Sequence, residues 1–400
     1  MNRISINSLA TIEFEVSWQS RQARHREKYL ARKVNMWRDI FFPGMKETLL
    51  EQNSPQVTMS YKPGEAVPAR DKSHLKTTPL SKFIQRKFLD EPIVPYQGRF
   101  YPRGLLGGHL FFPQDMRPCR ITDKSETMLQ VDLAHPLADH PLNITARVEN
   151  FCPNNCETGG RLTHWSEEIL NTGPGMQARW RDKPTDFPGP GFARADETLD
   201  TEFYSTPRMI NHIDSQARAF LTEEYRQALS PGMKVLDLMS GVNSHLPDDM
   251  DLQTTGLGLN QEELEANPQL DSHIIHDLNL EPELPFEDAA FDAVICSLSV
   301  EYLTSPYITI SHAARVLKPG GRLLLAVSDR WFPPKATRLW KELHTFERLG
   351  FMLDLMLAAN KLENLETLSI RNWWRPEDDP HTGQTWISDP IFLTSGIKPQ

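Results

Sequence analysis

KVLDLMSG, residues 234–241, is the stretch that decides the fold of this chain. It is a short apolar run that follows a Pro-Gly turn and ends in small residues, and similar runs follow at 254–259, 291–297 and 322–327. Runs that are apolar on both faces are typical of parallel strands covered by helices. Because stretches with helical spacing separate these runs, the region from 206 onward predicts a doubly wound α/β sheet. Ligands of such sheets bind beyond the carboxyl ends of the strands.

Length and composition limit the possible functions. At about 100–200 residues per domain, a chain of 400 residues predicts two or three domains. The formal net charge of −10 argues against a general nucleic-acid binder, which needs cations for phosphate. No run approaches the ~18 apolar residues of a membrane span, the chain starts without the apolar core of a signal peptide, and four cysteines are too few for a disulfide framework. We therefore expect a cytoplasmic protein with no membrane segment, no nucleic-acid partner and no metal.

The chain has three compositional zones. In residues 1–150, apolar residues alternate with polar ones at 129–133 and 142–148, which is typical of half-buried antiparallel strands and predicts a separate α+β domain. Residues 151–205 are rich in Gly-Pro turns, which predicts an extended linker wrapped on a surface. The zone 206–400 carries the predicted α/β sheet.

Four motifs in the third zone occur in a defined order: VLDL at 235–238, GLGLN at 256–260, LPFEDAAFDAV at 284–294 and RVLKPGG at 315–321. With these motifs, residues 206–380 resemble the class I S-adenosylmethionine-dependent methyltransferases of the type 11-like group. The resemblance implies a Rossmann-like, mostly parallel seven-stranded sheet with S-adenosylmethionine as the cofactor.

The first two motifs depart from the pattern of that family. Where the family has Gly-x-Gly-x-Gly after the first strand, this chain has Met239, Gly241 and Asn243. In the family an acid at the end of the second strand holds the ribose, but this chain has Gly258 at that position. We expect the side chain of Asn260 or Glu262 to replace the missing acid. The resemblance implies that Asp277 accepts the adenine amino group and that the backbone of Leu278 serves a ring nitrogen. The complete set predicted to bind the cofactor is Asp237, Met239, Ser240, Gly241, Gly258, Asn260, Asp277, Leu278 and Ser297.

The methyl acceptor is expected at the loops that follow the fourth and fifth strands. There, Glu301 and Tyr302 are the candidates for binding or deprotonating the acceptor, and Arg330 with Trp331 is the candidate pair for binding it. Upstream, Tyr204 and Arg208 are candidates for the carboxylate of the cofactor, with ordinary packing as the alternative.

The first zone resembles a second family. The runs GRFYP (98–102), VDLAHPLA (131–138) and FFPGMKETLL (41–50) resemble FKBP-type peptidyl-prolyl isomerases with an inserted flap, which binds unfolded chains in the bacterial members that have it. The resemblance implies that Phe41, Phe42 and Met45 form the floor of a substrate pocket. The basic segment 21–38 has a helical pattern and lacks the Phe-Asp pair of such sites, so we expect peptide binding with little isomerisation. The flap strands near 129–133 are expected to offer apolar area and free edges.

Cys152 and Cys156 have a spacing compatible with a metal or redox site, but a turn with free thiols is the simpler interpretation. The sequence therefore predicts an FKBP-like domain (1–150), a linker (151–205) and a methyltransferase domain (206–400), with the first domain recruiting a peptide or protein acceptor. The alternative is a non-catalytic chaperone or peptide-binding protein that carries a degenerate methyltransferase domain.

Overall fold

The structure, a computed structural model, describes residues 4–52, 54–84, 86–88, 91–107, 111–154 and 159–400. The chain forms two compact units, Met1–Gly189 with His344–Gly350 and Pro190–Leu343 with Phe351–Gln400. The division between the units follows Gly189, whereas the sequence predicted boundaries at 150 and 205. Among the described residues, none of the helices has the length and hydropathy of a membrane span.

The regular secondary structure of the first unit is mainly antiparallel β-sheet. Its strands are β1 (Ser8–Gln19), β2 (Ala23–Asn35), β3 (Gln56–Tyr61), β4 (Leu75–Pro79), β5 (Lys87–Phe88), β6 (Glu91–Pro92), β7 (Phe100–Pro102), β8 (Pro118–Lys124), β9 (Met128–Asp132) and β10 (Leu142–Pro153). Its helices are α1 (Met45–Gln52) and α2 (Trp165–Leu170). One sheet of this unit has the order β2-β1-β10-β3, a second has the order β4-β9-β8-β7, and β5 pairs with β6. Thus the period-two pattern at 129–133 and 142–148 correctly predicted antiparallel strands.

The basic segment is a strand, so the predicted helical character of residues 21–38 is wrong. In β2 the side chains of His25, Glu27 and Tyr29 are buried, while those of Arg24, Arg26 and Lys28 are more exposed. This is the alternation of a strand with one face on a core. Two of the inward side chains, His25 and Glu27, are polar or charged. The sequence therefore shows no alternation of apolar and polar residues over β2.

The expectation of a free edge near 129–133 is also wrong. The strand β9 pairs with β4 on one side and with β8 on the other, so it lies inside its sheet. Leu129 and Val131 are buried in the apolar cluster of that sheet. The exposed apolar side chains lie nearby instead, with Phe112 83 % and Met116 71 % exposed.

Part of the predicted linker belongs to the core of the first unit. Trp165, Ile169 and Leu170 of α2 are buried in the same apolar cluster as the inward residues of β1. The indole of Trp165 donates a hydrogen bond to Asp39, at 2.9 Å from Nε1 to Oδ2. One face of α2 is therefore part of the core, whereas the sequence predicted a linker that only wraps the surface. Cys152 is exposed, and Cys156 lies outside the described residues.

The second unit is the predicted α/β fold, and residues 190–400 are described throughout. Its strands are β11 (Lys234–Leu238), β12 (Gln253–Gly258), β13 (Ser272–Ile275), β14 (Phe291–Ser297), β15 (Leu317–Val327), β16 (Glu363–Arg371) and β17 (Ile391–Ile397). Its helices are α3 (Asp200–Phe203), α4 (Ser215–Ala228), α5 (Gln261–Ala266), α6 (Pro306–Val316), α7 (Arg338–Glu342) and α8 (Thr345–Ala359). The first residues of α8, up to Gly350, are assigned to the first unit.

The strand order in this unit is β13-β12-β11-β14-β15-β17-β16. Neighbouring strands run parallel from β13 to β15, and β17 is antiparallel to both β15 and β16. The chain order reverses between β11 and β14, so the loops after these strands diverge there and leave a crevice at their carboxyl ends. The mostly parallel Rossmann-like sheet predicted from the four motifs is confirmed within the described residues.

Helix α4 shows how local sequence positions this crevice. Asp214 caps the helix by accepting hydrogen bonds from the backbone N–H groups of Gln216 and Ala217. Its buried face includes Leu221 and Tyr225, and the Tyr225 hydroxyl is 2.7 Å from Ser297 Oγ at the end of β14. Removal of such a cap costs about 1 kcal/mol, so Asp214 helps fix the helix beside the crevice.

Candidate functional site

A cavity of about 450 Å³ lies at the carboxyl ends of the strands in the second unit. This is within the range of small-molecule sites. Every residue predicted to bind the cofactor lines this cavity: Asp237, Met239, Ser240, Gly241, Gly258, Asn260, Asp277, Leu278 and Ser297. Tyr302, Arg330 and Trp331 line it as well, whereas Glu301 does not. The fold thus brings together side chains that are more than 90 residues apart in the sequence.

Hydrogen bonds to β11 and β12 fix the turn after β11. Met239 has a left-handed backbone with φ of 55°, and the N–H of Ser240 donates to the carbonyl of Leu257 at 2.8 Å. The Ser240 hydroxyl donates to Asp237 at 2.6 Å. Burial raises the pKa of Asp237 to about 7, because the cavity wall excludes water from the carboxylate. The predicted use of Ser240 as a ligand contact therefore competes with its bond to Asp237.

The position of this turn explains why the second strand lacks an acid. A Cβ added at Gly258 would overlap the carbonyl oxygen of Ser240. The acid that the family has at this position therefore cannot fit beside this turn. Another carboxylate of the lining lies beside this turn: Oε2 of Glu263 would lie 3.0 Å from a Cβ added at Gly241.

Neither of the predicted compensating residues is the best candidate for the ribose. The side chain of Asn260 caps α5 by accepting from the N–H of Glu263 at 3.1 Å, and its amide donates to the carbonyl of Tyr204 at 2.9 Å. Glu262 is exposed and lies outside the cavity lining. Glu263 lines the cavity from the same helical turn, and sequence reasoning missed it by one residue.

Asp277 has one carboxylate oxygen in use and one available. Oδ1 accepts from the N–H of Asn279 at 2.8 Å, while the buried Oδ2 has no hydrogen-bond partner among the described residues. An unpaired buried acceptor costs about 1–3 kcal/mol, which a ligand donor would recover. Asn279 connects this part of the lining to two other lining residues. Its amide donates hydrogen bonds to Asp200 at 2.7 Å and to the carbonyl of Tyr302 at 3.0 Å. Asp200 is a lining residue that the sequence did not indicate.

Tyr204 and Arg208 form a cationic and aromatic corner of the cavity. The guanidinium of Arg208 lies 4.8–5.1 Å from the ring centroids of Phe203, Tyr204 and Phe332. Its Nη1 and the Tyr204 hydroxyl are buried without hydrogen-bond partners among the described residues. The main-chain N–H of Arg208 donates to Glu263 at 2.7 Å, which ties this corner to α5. An unpaired N–H of a guanidinium and an unpaired hydroxyl suit an anionic group.

The predicted acceptor residues occupy different environments. The Tyr302 hydroxyl accepts a hydrogen bond from the N–H of Phe332 at 2.9 Å, and burial raises its pKa well above the ordinary value. This favours Tyr302 as a hydrogen-bond donor over a base. Glu301 is 1 % exposed and lies outside the lining, so direct contact with an acceptor in this cavity would require a rearrangement.

The acceptor side includes one residue that sequence reasoning did not find. His381 lines the cavity beside Arg330, with 3.2 Å between its Nε2 and Arg330 Nη2. It lies in the segment between β16 and β17, far in sequence from every motif, so only the tertiary structure reveals it. The three residues predicted as a second substrate site, Phe41, Phe42 and Met45, are in the apolar core of the first unit.

Comparison with known proteins agrees with this site. Residues 240–325 match the family described as methyltransferase domain. An O-methyltransferase of Pyrenophora dematioidea is 28 % identical over 150 residues, which cover 34 % of this chain and 54 % of that protein. A demethylmenaquinone methyltransferase of Paenarthrobacter aurescens is 32 % identical over 170 residues, 40 % of this chain and 61 % of that protein. A solved structure of an S-adenosylmethionine dependent methyltransferase from Mesorhizobium loti has a TM-score of 0.28 and 16 % identity, and the match covers 44 % of this chain and 96 % of that one.

The chain thus spans little more than half the length of these two curated relatives. The matched family region contains the turn after β11, β12 and most of the cavity wall up to β15. Within the second unit, residues 240–325 are thus similar to a methyltransferase domain.

Proposed function

We propose that this protein is an S-adenosylmethionine-dependent methyltransferase whose reaction takes place in the cavity of the second unit. The observation that carries the proposal is the convergence of all nine predicted cofactor-binding residues on one cavity of about 450 Å³. Convergence of such distant residues at the carboxyl edge of a doubly wound sheet is the arrangement that such folds use for nucleotide ligands.

The residues present fit this cofactor. The unpaired Oδ2 of Asp277 supplies an acceptor for an adenine amino group, and Glu263 supplies a carboxylate for ribose hydroxyls. Tyr204 and Arg208 supply two unpaired donors for the methionine carboxylate. When bound, S-adenosylmethionine provides an electrophilic methyl group. The protein then needs to hold an acceptor in line with it, and apolar walls such as Phe332 exclude water from that position.

Calorimetric titration with S-adenosylhomocysteine tests the proposal. We expect saturable binding of one molecule per chain. Asp277→Ala should weaken it by roughly 1.5–3 kcal/mol, the cost of losing a hydrogen bond with a charged partner. Asp378→Asn is a matched control, because Asp378 is exposed and outside the cavity lining. Absence of binding would favour the alternative of a non-catalytic protein with a degenerate domain.

For the first unit we propose an FKBP-like fold with a peptide-binding flap. The order β2-β1-β10-β3, with α1 before β3 and a second sheet between β3 and β10, supports this proposal. Phe41, Phe42 and Met45 are buried to 5, 1 and 0 % exposure, so a peptide would reach them only after displacement of core residues. The exposed apolar side chains of Phe112 and Met116 are better placed for an unfolded client.

This unit would then recruit a peptide or protein acceptor, and it would do so without efficient isomerisation. Double substitution of Phe112 and Met116 by serine should reduce the ability of the full chain to suppress aggregation of an unfolded client. An unchanged suppression would contradict peptide binding at this surface. A cytoplasmic location stays a prediction.

A further inference from the structure

The first unit contains a small cavity with a cationic lining. Its volume is about 40 Å³, which leaves room for about three water molecules. Arg120 of β8, Trp180 and Asp132 at the end of β9 lie in its wall. The lining contains four arginines and two aspartates, and all of its residues belong to the first unit. This cavity is therefore a different site from the one in the second unit.

Both aspartates of this lining are held by one arginine. Arg70 pairs with Asp132 and with Asp139, at 2.6 Å between Nε and Oδ2 of Asp139. Asp132 also accepts hydrogen bonds from the indole of Trp180 at 2.9 Å and from the main-chain N–H of Ala134 at 2.9 Å. The negative charge of the lining is thus already used within the wall.

The guanidinium of Arg120 is buried and meets neutral groups. Arg120 is 6 % exposed, and its charged group lies 4.2 Å from the ring centroid of Phe100. Among the residues that the structure describes, its side chain donates only from Nη2, to the carbonyls of Ala178 at 2.7 Å and Gly175 at 3.4 Å. Its Nε is buried and has no hydrogen-bond partner in that part of the chain. Since buried charges are normally paired, this guanidinium lacks a counter-charge.

Burial makes the charged form of Arg120 costly. Desolvation lowers the pKa of this guanidinium to about 10, although the carboxylates of Asp132 and Glu347 attract it from a longer distance. The side chain stays charged at neutral pH all the same. An anion in the cavity would reduce the free-energy cost of this buried cation.

We propose that this cavity binds a carboxylate and that Arg120 is its principal binding residue. The inference goes beyond the proposed function, because it depends neither on the cofactor nor on methyl transfer. The planar guanidinium matches the geometry of a carboxylate, and the Nε–H of Arg120 is the donor that still lacks an acceptor. Arg181, an exposed lining residue 4.8 Å from the ring of Trp180, adds a second positive charge that attracts the anion.

The remaining lining favours a singly charged anion on a short carbon chain. A dianion such as phosphate would be repelled by the fixed carboxylates of Asp132 and Asp139. Apolar groups of Phe100, Ala134 and Pro136 complete the wall and suit the carbon atoms behind a carboxylate. The ligand is therefore a small carboxylic acid or a carboxylate of a peptide.

NMR of the full chain labelled with ¹⁵N-arginine tests the site without any substitution. We expect the Nε–H resonance of Arg120 to shift saturably on titration with sodium acetate. Acetamide has the same shape without the charge and should cause no such shift. The Nε–H of Arg117, which is exposed and pairs with Asp115 outside the lining, is the internal control. No shift at Arg120, or an equal shift with acetamide or with sodium chloride, would overturn the proposal.

A substitution that keeps the charge tests the role of the guanidinium. Arg120→Lys removes the Nε–H and the planar set of donors. Acetate should raise the melting temperature of the native chain, and the affinity obtained from this rise should fall roughly tenfold or more in Arg120→Lys. Arg117→Lys is the matched control and should bind acetate as the native chain does. A folded Arg120→Lys with unchanged affinity would contradict the proposal, and if this variant does not fold, the NMR titration of the native chain decides.

Competition with acetate distinguishes the sources of the carboxylate. N-Acetylglycine presents the terminal carboxylate of a peptide, and the α-amide of N-acetylglutamic acid presents an acidic side chain. Displacement of acetate by one of them supports the site and identifies the peptide group, whereas displacement by neither supports a site for free small acids. Binding of S-adenosylhomocysteine is measured separately, so failure of the carboxylate site leaves the methyltransferase proposal standing.

Discussion

Replacement of Asp237 by asparagine should stabilise the protein at neutral and alkaline pH. Asp237 is 2 % exposed at the end of β11, and burial raises its pKa from 3.8 to about 7. Asparagine keeps an oxygen that can accept the hydrogen bond from the Ser240 hydroxyl. The substitution therefore removes the buried ionisable group with little change in shape.

The size and direction of the effect follow from proton linkage. In the unfolded chain Asp237 ionises near pH 4, whereas in the folded protein it stays protonated up to about pH 7. The folded state thus binds the extra proton between these values, and its stability falls as the pH rises from about 4 to about 7. Above pH 7 the loss in free energy of unfolding levels off at up to about 4 kcal/mol, because each unit of pKa shift corresponds to 1.36 kcal/mol. The variant lacks this cost.

Differential scanning calorimetry of both proteins at pH 5, 6, 7 and 8 measures the difference directly. The melting temperature of Asp237→Asn relative to the native chain should rise through this series and level off above pH 7. Other titrating groups are shared, so they cancel in the comparison. A difference that is constant across the pH range would refute the raised pKa of Asp237, and with it the exclusion of water from this carboxylate beside the turn after β11.

Three further outcomes follow from the site and the core. Glu263→Gln should weaken S-adenosylhomocysteine binding roughly tenfold or more through loss of a charged acceptor, measured by calorimetry, and unchanged affinity would remove Glu263 from the ribose site. Gly258→Asp should lower the free energy of unfolding by about 1–3 kcal/mol because its Cβ overlaps the Ser240 carbonyl, and a stable variant with tighter binding would contradict this. Trp165→Ala should cost about 3–5 kcal/mol through a cavity in the first unit, measured by chemical denaturation, whereas a cost below 1 kcal/mol would mean that residues 163–170 are not part of the core.

The centre of the sheet in the second unit was predictable because β11, β14 and the second half of β15 are mostly apolar. Val235, Leu236 and Leu238 are buried on both faces of the sheet, so they form a run that no period-two pattern interrupts. The order of the motifs then indicated which strand ends meet. This was sufficient to predict the residues of the cavity wall that follow the strands directly.

The remaining features depend on contacts that local sequence does not encode. The strand β2 was misinterpreted because His25 and Glu27 are buried although they are polar. Glu263 became the candidate for the ribose because a backbone carbonyl occupies the space beside Gly258. His381 reaches the cavity only because Arg375 is anchored to distant acids. Each of these depends on long-range packing.

A crystal structure of the full chain with S-adenosylhomocysteine tests the central claim most directly. We predict the ligand in the cavity of the second unit, with its adenine amino group within hydrogen-bond distance of Asp277 Oδ2 and a ribose hydroxyl at Glu263. Its sulfur should face Tyr302 and His381. A ligand bound elsewhere, or an empty cavity at saturating ligand concentration, would contradict the claim.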